Sequence, residues 1–453
     1  MKWIPLFWGA LSCFLPTSSW AQGVLNINID APEFRPMAVG IPDFKVEGGD
    51  PKIAKDAAAE LQRILEFCGL FRVINPVAYN HIPIAEVISQ GESKLNPAAW
   101  KQVGVETLIT GVLKSDPSGP VLELRAFDIT KGKEVAGKRY SNATNYIPPI
   151  RKFGDRVLKM LTGKPGIFTT KIVFVGRQKK GDMKQIYMAD FDGGNLEQIT
   201  AKSTPHLSPS WSPDGKSIVY TSFETGDPNV FLYDLEKRKS RIIAGEKGLD
   251  SGAQFESKGK FVVYSHAVNG DTDLYLKSKE GGKALDFVKG AGLDVDPVFS
   301  PDGKYLAWVS ARFGNPHLFR GDLSWSNGVP SVTKDERLTF AGWYNATPAW
   351  SHDSEKIAFA SYDKEINRFD LFMMNPDGRK LERLTLRSGD NESPSFAPNS
   401  QLIMFHSSRQ GTADVKGPAS LYVMYRDGSN QRRLNIPLYE AQTPKWGPFV
   451  DFD

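Results

Sequence analysis

The sequence predicts a small α/β domain followed by an all-β, six-bladed β-propeller. An aromatic-centred motif recurs six times in the second half of the chain, with anchors at Trp211, Phe255, Phe299, Trp350, Phe396 and Trp446. The steps between anchors are 44, 44, 51, 46 and 50 residues. A unit of about 40–50 residues that holds several short strands is typical of a propeller blade. The region before the first anchor instead alternates strand and helix patterns.

The first 21 residues have the pattern of a secretory signal peptide. Lys2 supplies the positive charge, residues 4–15 are apolar, and Ser19-Trp20-Ala21 is a small-residue cleavage site. A lipoprotein signal ending at Cys13 is less consistent, because the apolar run continues after it. Cleavage after Ala21 leaves Cys68 as the one cysteine, so we expect an exported protein without an intramolecular disulfide.

Residues 22–163 are predicted to form the amino-terminal α/β domain. Strands are expected near residues 24–30, 35–44, 71–74, 107–113, 121–127 and 134–140. Asp50-Pro51 is a helix start and Gly69 a helix stop, and Asn96-Pro97 begins a shorter helix. A last helix is expected to end at Leu161-Thr162-Gly163, and residues 164–166 link the domain to the repeats.

Residues 167–453 are predicted to form the propeller. Each repeat reads as a strand ending on the aromatic anchor, a tight Pro-Asp-Gly-like turn and three further strands. The aromatics are interpreted as packing between neighbouring blades. The strand at residues 171–175 has no anchor before it, and the last anchor has no strand after it. We therefore expect these two halves to form one mixed blade that closes the ring.

No catalytic, metal or cofactor motif is found. The sequence lacks the Gly-x-Ser-x-Gly pentapeptide of α/β-hydrolases, Walker and dinucleotide glycine patterns, and histidine pairs at metal-ligand spacing. The acidic runs at residues 271–273 and 294–296 are better explained by turn capping than by calcium. The net charge of +4 gives no case for nucleic acid, and no apolar run after the signal reaches the length of a membrane span.

The chain resembles the TolB family, the periplasmic component of the Tol–Pal system of Gram-negative envelopes. The residues that carry the resemblance are Ile27-Asn28-Ile29-Asp30, Arg35-Pro36 with Val39, Pro97-Ala98-Ala99-Trp100, Leu161-Thr162-Gly163 and the six WD40-like PD40 repeats. The resemblance implies a monomeric periplasmic scaffold and not an enzyme, without cofactor, nucleic acid or membrane insertion. It also implies binding to the lipoprotein Pal, to TolA and to other envelope proteins, in support of outer-membrane integrity and of constriction at division.

The family binds TolA through its extreme amino-terminal segment, and this resemblance selects one strand-like run here. The residues are Val24, Leu25, Asn26, Ile27, Asn28, Ile29 and Asp30. Their alternation of apolar and polar side chains suits a strand added to the edge of a partner sheet. The alternative is an ordinary edge strand of the chain's own domain.

The family binds Pal at the mouth of the propeller channel. Five polar residues stand three positions before the Pro (or Ala253) of their repeats, and with Thr347 they are the predicted Pal-binding residues: His206, Asp250, Asp294, Asn345, Thr347 and Asn391. The simpler interpretation is that Asp and Asn side chains cap the loops that enter the blades. Two other functions stay open, a periplasmic glycan or peptidoglycan reader and the gating propeller of a hydrolase.

Overall fold

The computed structural model describes residues 35–82, 95–386, 388–410 and 417–449. The predicted signal peptide and the predicted TolA-binding residues 24–30 lie outside the described residues. Among the described helices, none is both long enough and apolar enough to cross a membrane.

The amino-terminal part is built on a mixed sheet with helices packed against it. Its described elements are β1 Met37–Gly40, β2 Lys45–Val46, α1 Pro51–Cys68, β3 Phe71–Val73, a 3₁₀ turn Pro76–Ala78, α2 Pro97–Gln102, β4 Thr107–Asp116, β5 Gly119–Asp128, β6 Lys133–Tyr140 and α3 Ile147–Thr162. The sheet order is β3-β1-β4-β5-β6, with β2 beside β4. β1 pairs in parallel with β3 and β4, whereas β4, β5 and β6 pair in antiparallel order.

Helix α1 begins and ends where the sequence predicts. The Asp50 carboxylate accepts a hydrogen bond from the backbone N–H of Lys52 at 2.9 Å, and Pro51 occupies the first turn. Gly69 ends the helix in the left-handed conformation, with φ of 70°. A β-carbon at this position would overlap the hydroxyl of Tyr425, which belongs to the propeller. Gly69 is therefore needed both for the helix end and for the contact between the two parts.

The described residues of the second part form six four-stranded antiparallel sheets. In chain order, the strands that precede the first motif copy are β7 Lys171–Arg177, β8 Gln185–Asp190 and β9 Glu197–Gln198. Blade 1 contains β10 His206–Trp211, β11 Ser217–Thr225, β12 Asp227–Asp234 and β13 Lys239–Ala244. Blade 2 contains β14 Leu249–Phe255, β15 Phe261–Val268, β16 Asp271–Ser278 and β17 Leu285–Val288. Blade 3 contains β18 Asp294–Phe299, β19 Tyr305–Ser310, β20 His317–Ser326 and β21 Val329–Arg337.

The remaining blades complete the ring. Blade 4 contains β22 Tyr344–Trp350, β23 Ile357–Asp363, β24 Arg368–Met374 and β25 Glu382–Arg383. Blade 5 contains β26 Asn391–Phe396, β27 Leu402–Ser407, β28 Ser420–Tyr425 and β29 Arg432–Arg433. Blade 6 is the sheet β30-β7-β8-β9, in which β30 spans Glu440–Trp446. The predicted six-bladed propeller and its mixed closing blade are both confirmed. The exact domain limits of 22–163 and 167–453 stay predictions.

The aromatic anchors pack between blades, as the sequence interpretation proposed. The indole N–H of Trp211 donates to the carbonyl of Lys445 in blade 6 at 3.1 Å. The indole N–H of Trp350 donates in the same way to Val298 in blade 3 at 3.2 Å. Each of these two tryptophans thereby satisfies its polar atom while its ring packs between neighbouring sheets.

The amino-terminal part rests on blades 5 and 6. One apolar cluster joins α1 and α3 to the propeller through Phe168, Phe191 and Tyr425. At its edge the Arg151 guanidinium bridges Glu60 in α1, at 3.3 Å, and Asp190 in blade 6, at 2.6 Å. This contact surface therefore combines an apolar centre with a charged margin.

Candidate functional site

The innermost strands of the six blades, β10, β14, β18, β22, β26 and β30, line a central channel. Each of them begins where a loop arrives from the preceding blade, and we call this side the mouth face. The first five of them end at the Pro-Asp-Gly-like turn, and we call that side, where β30 also ends, the turn face. Loops carried on a rigid scaffold are where binding residues are usually found.

Every innermost strand has a β-bulge at one position. The residue in the bulge has a positive φ between 47° and 65°, and these residues are Ser208, Gly252, Asp296, Thr347, Ser393 and Thr443. Positive φ is unfavourable for residues other than glycine, above all for a β-branched threonine. Such strain persists only where the surrounding structure enforces it, and it is concentrated at functional sites. The bulges form a neck in the channel around a space of about 70 Å³.

The neck contains one carboxylate and one ammonium group among the residues that line it, Asp296 and Lys445. The carboxylate Oδ2 of Asp296 accepts a hydrogen bond from the backbone N–H of Thr347 at 3.2 Å. Burial between the blades raises the pKa of Asp296 and lowers the pKa of Lys445. Each charge partly offsets the other across the channel.

The predicted Pal-binding residues are brought to the mouth face, but most of their side chains are buried. His206, Asp250, Asp294 and Asn391 are 0% exposed and Asn345 is 1% exposed. These five side chains therefore do not form an exposed surface at the mouth. Thr347 is the exception, because it is partly exposed and lines the neck. Binding of Pal by these six residues stays a prediction.

Three of the buried mouth residues are held by hydrogen bonds to the second strand of their own blade. His206 Nε2 lies 2.9 Å from Glu224 Oε1, and Asp250 Oδ1 lies 2.6 Å from His266 Nδ1. Asp294 Oδ1 accepts from the indole N–H of Trp308 at 3.1 Å. Desolvation is the main cause that raises the pKa of Asp250, although His266 opposes it. These three contacts join neighbouring strands and do not cap the loops that enter the blades.

The two asparagines do contact the loops that enter their blades. The Asn345 amide donates to the carbonyl of Ala341 at 3.0 Å and lies 3.0 Å from His317 Nδ1. The Asn391 amide donates to Asp370 Oδ1 at 3.1 Å and to the carbonyl of Gly389 at 3.2 Å. Burial lowers the pKa of His317, so that its ring stays neutral beside Asn345.

Two arginines at the mouth were missed in the sequence. Arg312 donates from Nε to Ser310 Oγ at 2.9 Å and approaches Asp294 at 3.3 Å through Nη2. Arg409 repeats this arrangement in blade 5, with Ser407 Oγ at 2.9 Å and Asn391 Oδ1 at 2.9 Å. The signal was a Ser-x-Arg pattern at the end of the second strand in both blades. These guanidiniums lie farther from the channel strand and are partly exposed.

Comparisons with known proteins agree with this architecture. The sequence profile described as the TolB beta propeller domain matches residues 158–450, and that of the TolB amino-terminal domain matches residues 25–135. A relative from Xanthomonas oryzae pv. oryzae, named Tol-Pal system protein TolB, is 35% identical over 455 aligned residues and 98% of each chain. A relative of the same name from Desulfosudis oleivorans is 32% identical over 242 residues, 52% of this chain and 54% of its own.

A solved structure shows the same fold over nearly the whole length. The crystal structure of TolB from Acinetobacter baumannii superposes with a TM-score of 0.77 at 25% identity, covering 92% of this chain and 97% of that one. Both parts of the chain are thus matched by sequence profiles, by a full-length relative and by a known structure. The protein belongs to the TolB family and is a component of the Tol–Pal system.

Proposed function

We propose that the protein is a periplasmic scaffold that binds the lipoprotein Pal at the channel mouth and TolA through residues 24–30. In this role it links outer-membrane integrity to constriction at division and acts as a monomer without catalytic activity. The observation that carries the proposal is the full-length similarity to relatives named as Tol–Pal components. The predicted signal peptide agrees with export to the periplasm.

The burial of the mouth residues limits which groups can contact Pal directly. Because five of the predicted residues are buried, direct contacts fall to groups that reach solvent, such as Thr347, Glu224 and Arg312. The side chains of Glu224 and Arg312 are 27% and 18% exposed. His206 and Asp294 then act as positioning residues, because they contact Glu224 and Arg312, and Asp250 holds His266 in a similar way.

Titration calorimetry with purified Pal tests the mouth. Single substitutions of His206, Asp250 and Asp294 by Ala should weaken binding by about 1–3 kcal/mol for at least one variant. Charge reversal of the exposed turn-face residues Lys216 and Lys304 is the control and should change the affinity little. If only the turn-face variants bound Pal more weakly, the Pal site would lie on the turn face and the proposal would be wrong.

Deletion of residues 22–32 tests the TolA segment. TolA binding should be lost, whereas the melting temperature and Pal binding should stay close to those of the full mature chain. Loss of all three would show that the segment is a structural edge strand. A pull-down from detergent-solubilised envelopes, compared with binding to purified peptidoglycan, distinguishes a scaffold from a glycan-binding protein. A scaffold should retain Pal when no glycan is present.

A further inference from the structure

Helix α3 carries a row of cations on its outer side. The helix and the two residues that follow it contain five cationic side chains and one carboxylate, so their formal net charge of +4 equals that of the whole chain. Its large apolar residues other than Met160 pack towards the core. Residues three and four positions apart share one side of a helix, so Lys152, Arg156 and Lys159 align on the exposed side. We call these three residues and the exposed Lys164 the basic row.

The four cations of the basic row are not held by carboxylates. In the part of the chain that the structure describes, none of them has an ion pair or a hydrogen bond. The carboxylate of the helix, Asp155, faces the linker, where Oδ1 accepts from the backbone N–H of Phe168 at 2.7 Å. The fifth cation, Arg151, is bound to Glu60 and Asp190 at 3.3 and 2.6 Å. The acidic groups beside the row therefore already have partners, and the row keeps a net positive charge.

Strand β6 adds one more cation at the edge of the sheet. Lys138 stands opposite Leu124 in β5, and Leu124 belongs to the apolar cluster beneath α3. Because directly opposite residues share one face of a sheet, the exposed Lys138 lies on the helix side. Burial raises the pKa of Tyr140, the last residue of β6, to about 12, and the nearby Arg156 guanidinium opposes this shift. The basic row and Lys138 thus form one surface with five cations.

The shape and chemistry of this surface fit an anionic membrane. It is the outer side of a helix beside a sheet edge, so most of it is convex and lacks the facing walls that a bound peptide needs. Among the described residues, the large apolar side chain that it exposes is Met160, at 45%, and it exposes no aromatic ring on which a sugar could stack. From Lys152 to Lys164 the row extends about 18 Å, enough for several lipid headgroups. Clusters of four or more Lys and Arg on a helix are typical of binding to anionic lipids.

We propose that the basic row and Lys138 bind the headgroups of an anionic phospholipid membrane. The amino-terminal part then rests on the membrane surface without inserting a helix. This inference goes beyond the proposed function and does not depend on it, because neither Pal nor TolA takes part in the contact. Since the attraction is electrostatic and lies at an exposed surface, salt should weaken it strongly.

Co-sedimentation of the full mature chain with lipid vesicles tests the basic row. The chain should bind vesicles that contain phosphatidylglycerol at low salt, leave them at high salt and not bind vesicles of phosphatidylcholine alone. Arg156→Gln combined with Lys159→Gln should weaken binding about thirtyfold, which corresponds to about 1 kcal/mol per cation. The matched control combines Lys304→Gln and Arg379→Gln on blades 3 and 4, whose side chains are 71% and 84% exposed. It removes the same charge and should weaken binding less than about threefold.

The outcomes separate this inference from the proposed function. Equal vesicle binding by the two double variants, with unchanged melting temperatures, would overturn the basic row as the lipid site. Failure of the unmodified chain to bind phosphatidylglycerol vesicles at low salt would also overturn it. Binding to a soluble polyglutamate peptide without binding to vesicles would show that the occupant is an acidic polypeptide, and the inference would be wrong. Calorimetry with purified Pal on the same variants should show unchanged affinity, and failure of the unmodified chain to bind Pal would contradict the proposed function alone.

Discussion

Ring closure depends on Trp446, and its replacement by alanine is the sharpest test of the fold. The side chain is 5% exposed and belongs to the apolar cluster that also contains Phe168 and Phe174. Its indole N–H donates to Thr170 Oγ1 at 2.8 Å, and its backbone N–H donates to Ser395 Oγ in blade 5 at 2.9 Å. Trp446 is thus packed where β30, β7 and the neighbouring blade meet.

Trp446→Ala should lower the free energy of unfolding by about 3–5 kcal/mol, as expected for truncation of a buried tryptophan. Urea denaturation followed by tryptophan fluorescence and by circular dichroism measures this loss. Trp343→Ala, at a 51% exposed site, is the control and should cost less than about 1 kcal/mol. Equal effects of the two substitutions would refute the closing role of Trp446. Deletion of residues 444–453 should go further and abolish cooperative unfolding of the propeller.

Three further predictions concern buried charges. Burial, with Lys184 nearby, lowers the pKa of His406 to about 4. The free energy of unfolding should therefore fall as the pH drops from about 6.5 to 4. In chemical denaturation, His406→Gln should make the free energy of unfolding less dependent on pH in this range. Burial raises the pKa of Asp155 to about 6. Ionisation of this carboxyl should therefore lower the free energy of unfolding as the pH rises from about 4 to 6. Asp155→Asn should remove this part of the pH dependence. In urea denaturation, Arg151→Met should lower the free energy of unfolding by about 3 kcal/mol, because Glu60 and Asp190 lose a buried cationic partner. Arg139→Met, which removes an exposed ion pair, is the control and should lower it by less than about 1 kcal/mol.

Local chemistry explains why so much of the fold was predictable. The cap Asp50 and the stop Gly69 act within a few residues of the helix they delimit, so α1 could be placed from the sequence. Ring closure followed from a count of strands, since β7 lacked an anchor and β30 lacked a hairpin partner. The helix limits can be inferred from neighbouring residues, and ring closure can be inferred from the number of strands in each repeat.

The mouth could be located from the sequence, but its exposed groups could not. Asp294 and Asn391 each stand three residues before the Pro of their repeats, and the structure places both at the start of an innermost strand, on the mouth face. Arg312 and Arg409, which are 18 residues farther along the chain, donate hydrogen bonds to them. A repeat pattern shows which face a residue occupies and does not show which side chain covers it.

Blade 2 shows how a repeat can depart from its pattern and keep its structure. In blade 1, Ser212 Oγ accepts from the N–H of Ser217 at 2.9 Å and Asp214 Oδ1 accepts from the N–H of Lys216 at 3.0 Å. Blade 2 has neither residue type at these positions. Its Glu256 carboxylate alone accepts from the N–H groups of Lys258, Lys260 and Phe261, at 2.5, 2.6 and 3.3 Å. The turn requires acceptors at given places and not particular residues, so one buried glutamate replaces the Ser and Asp together.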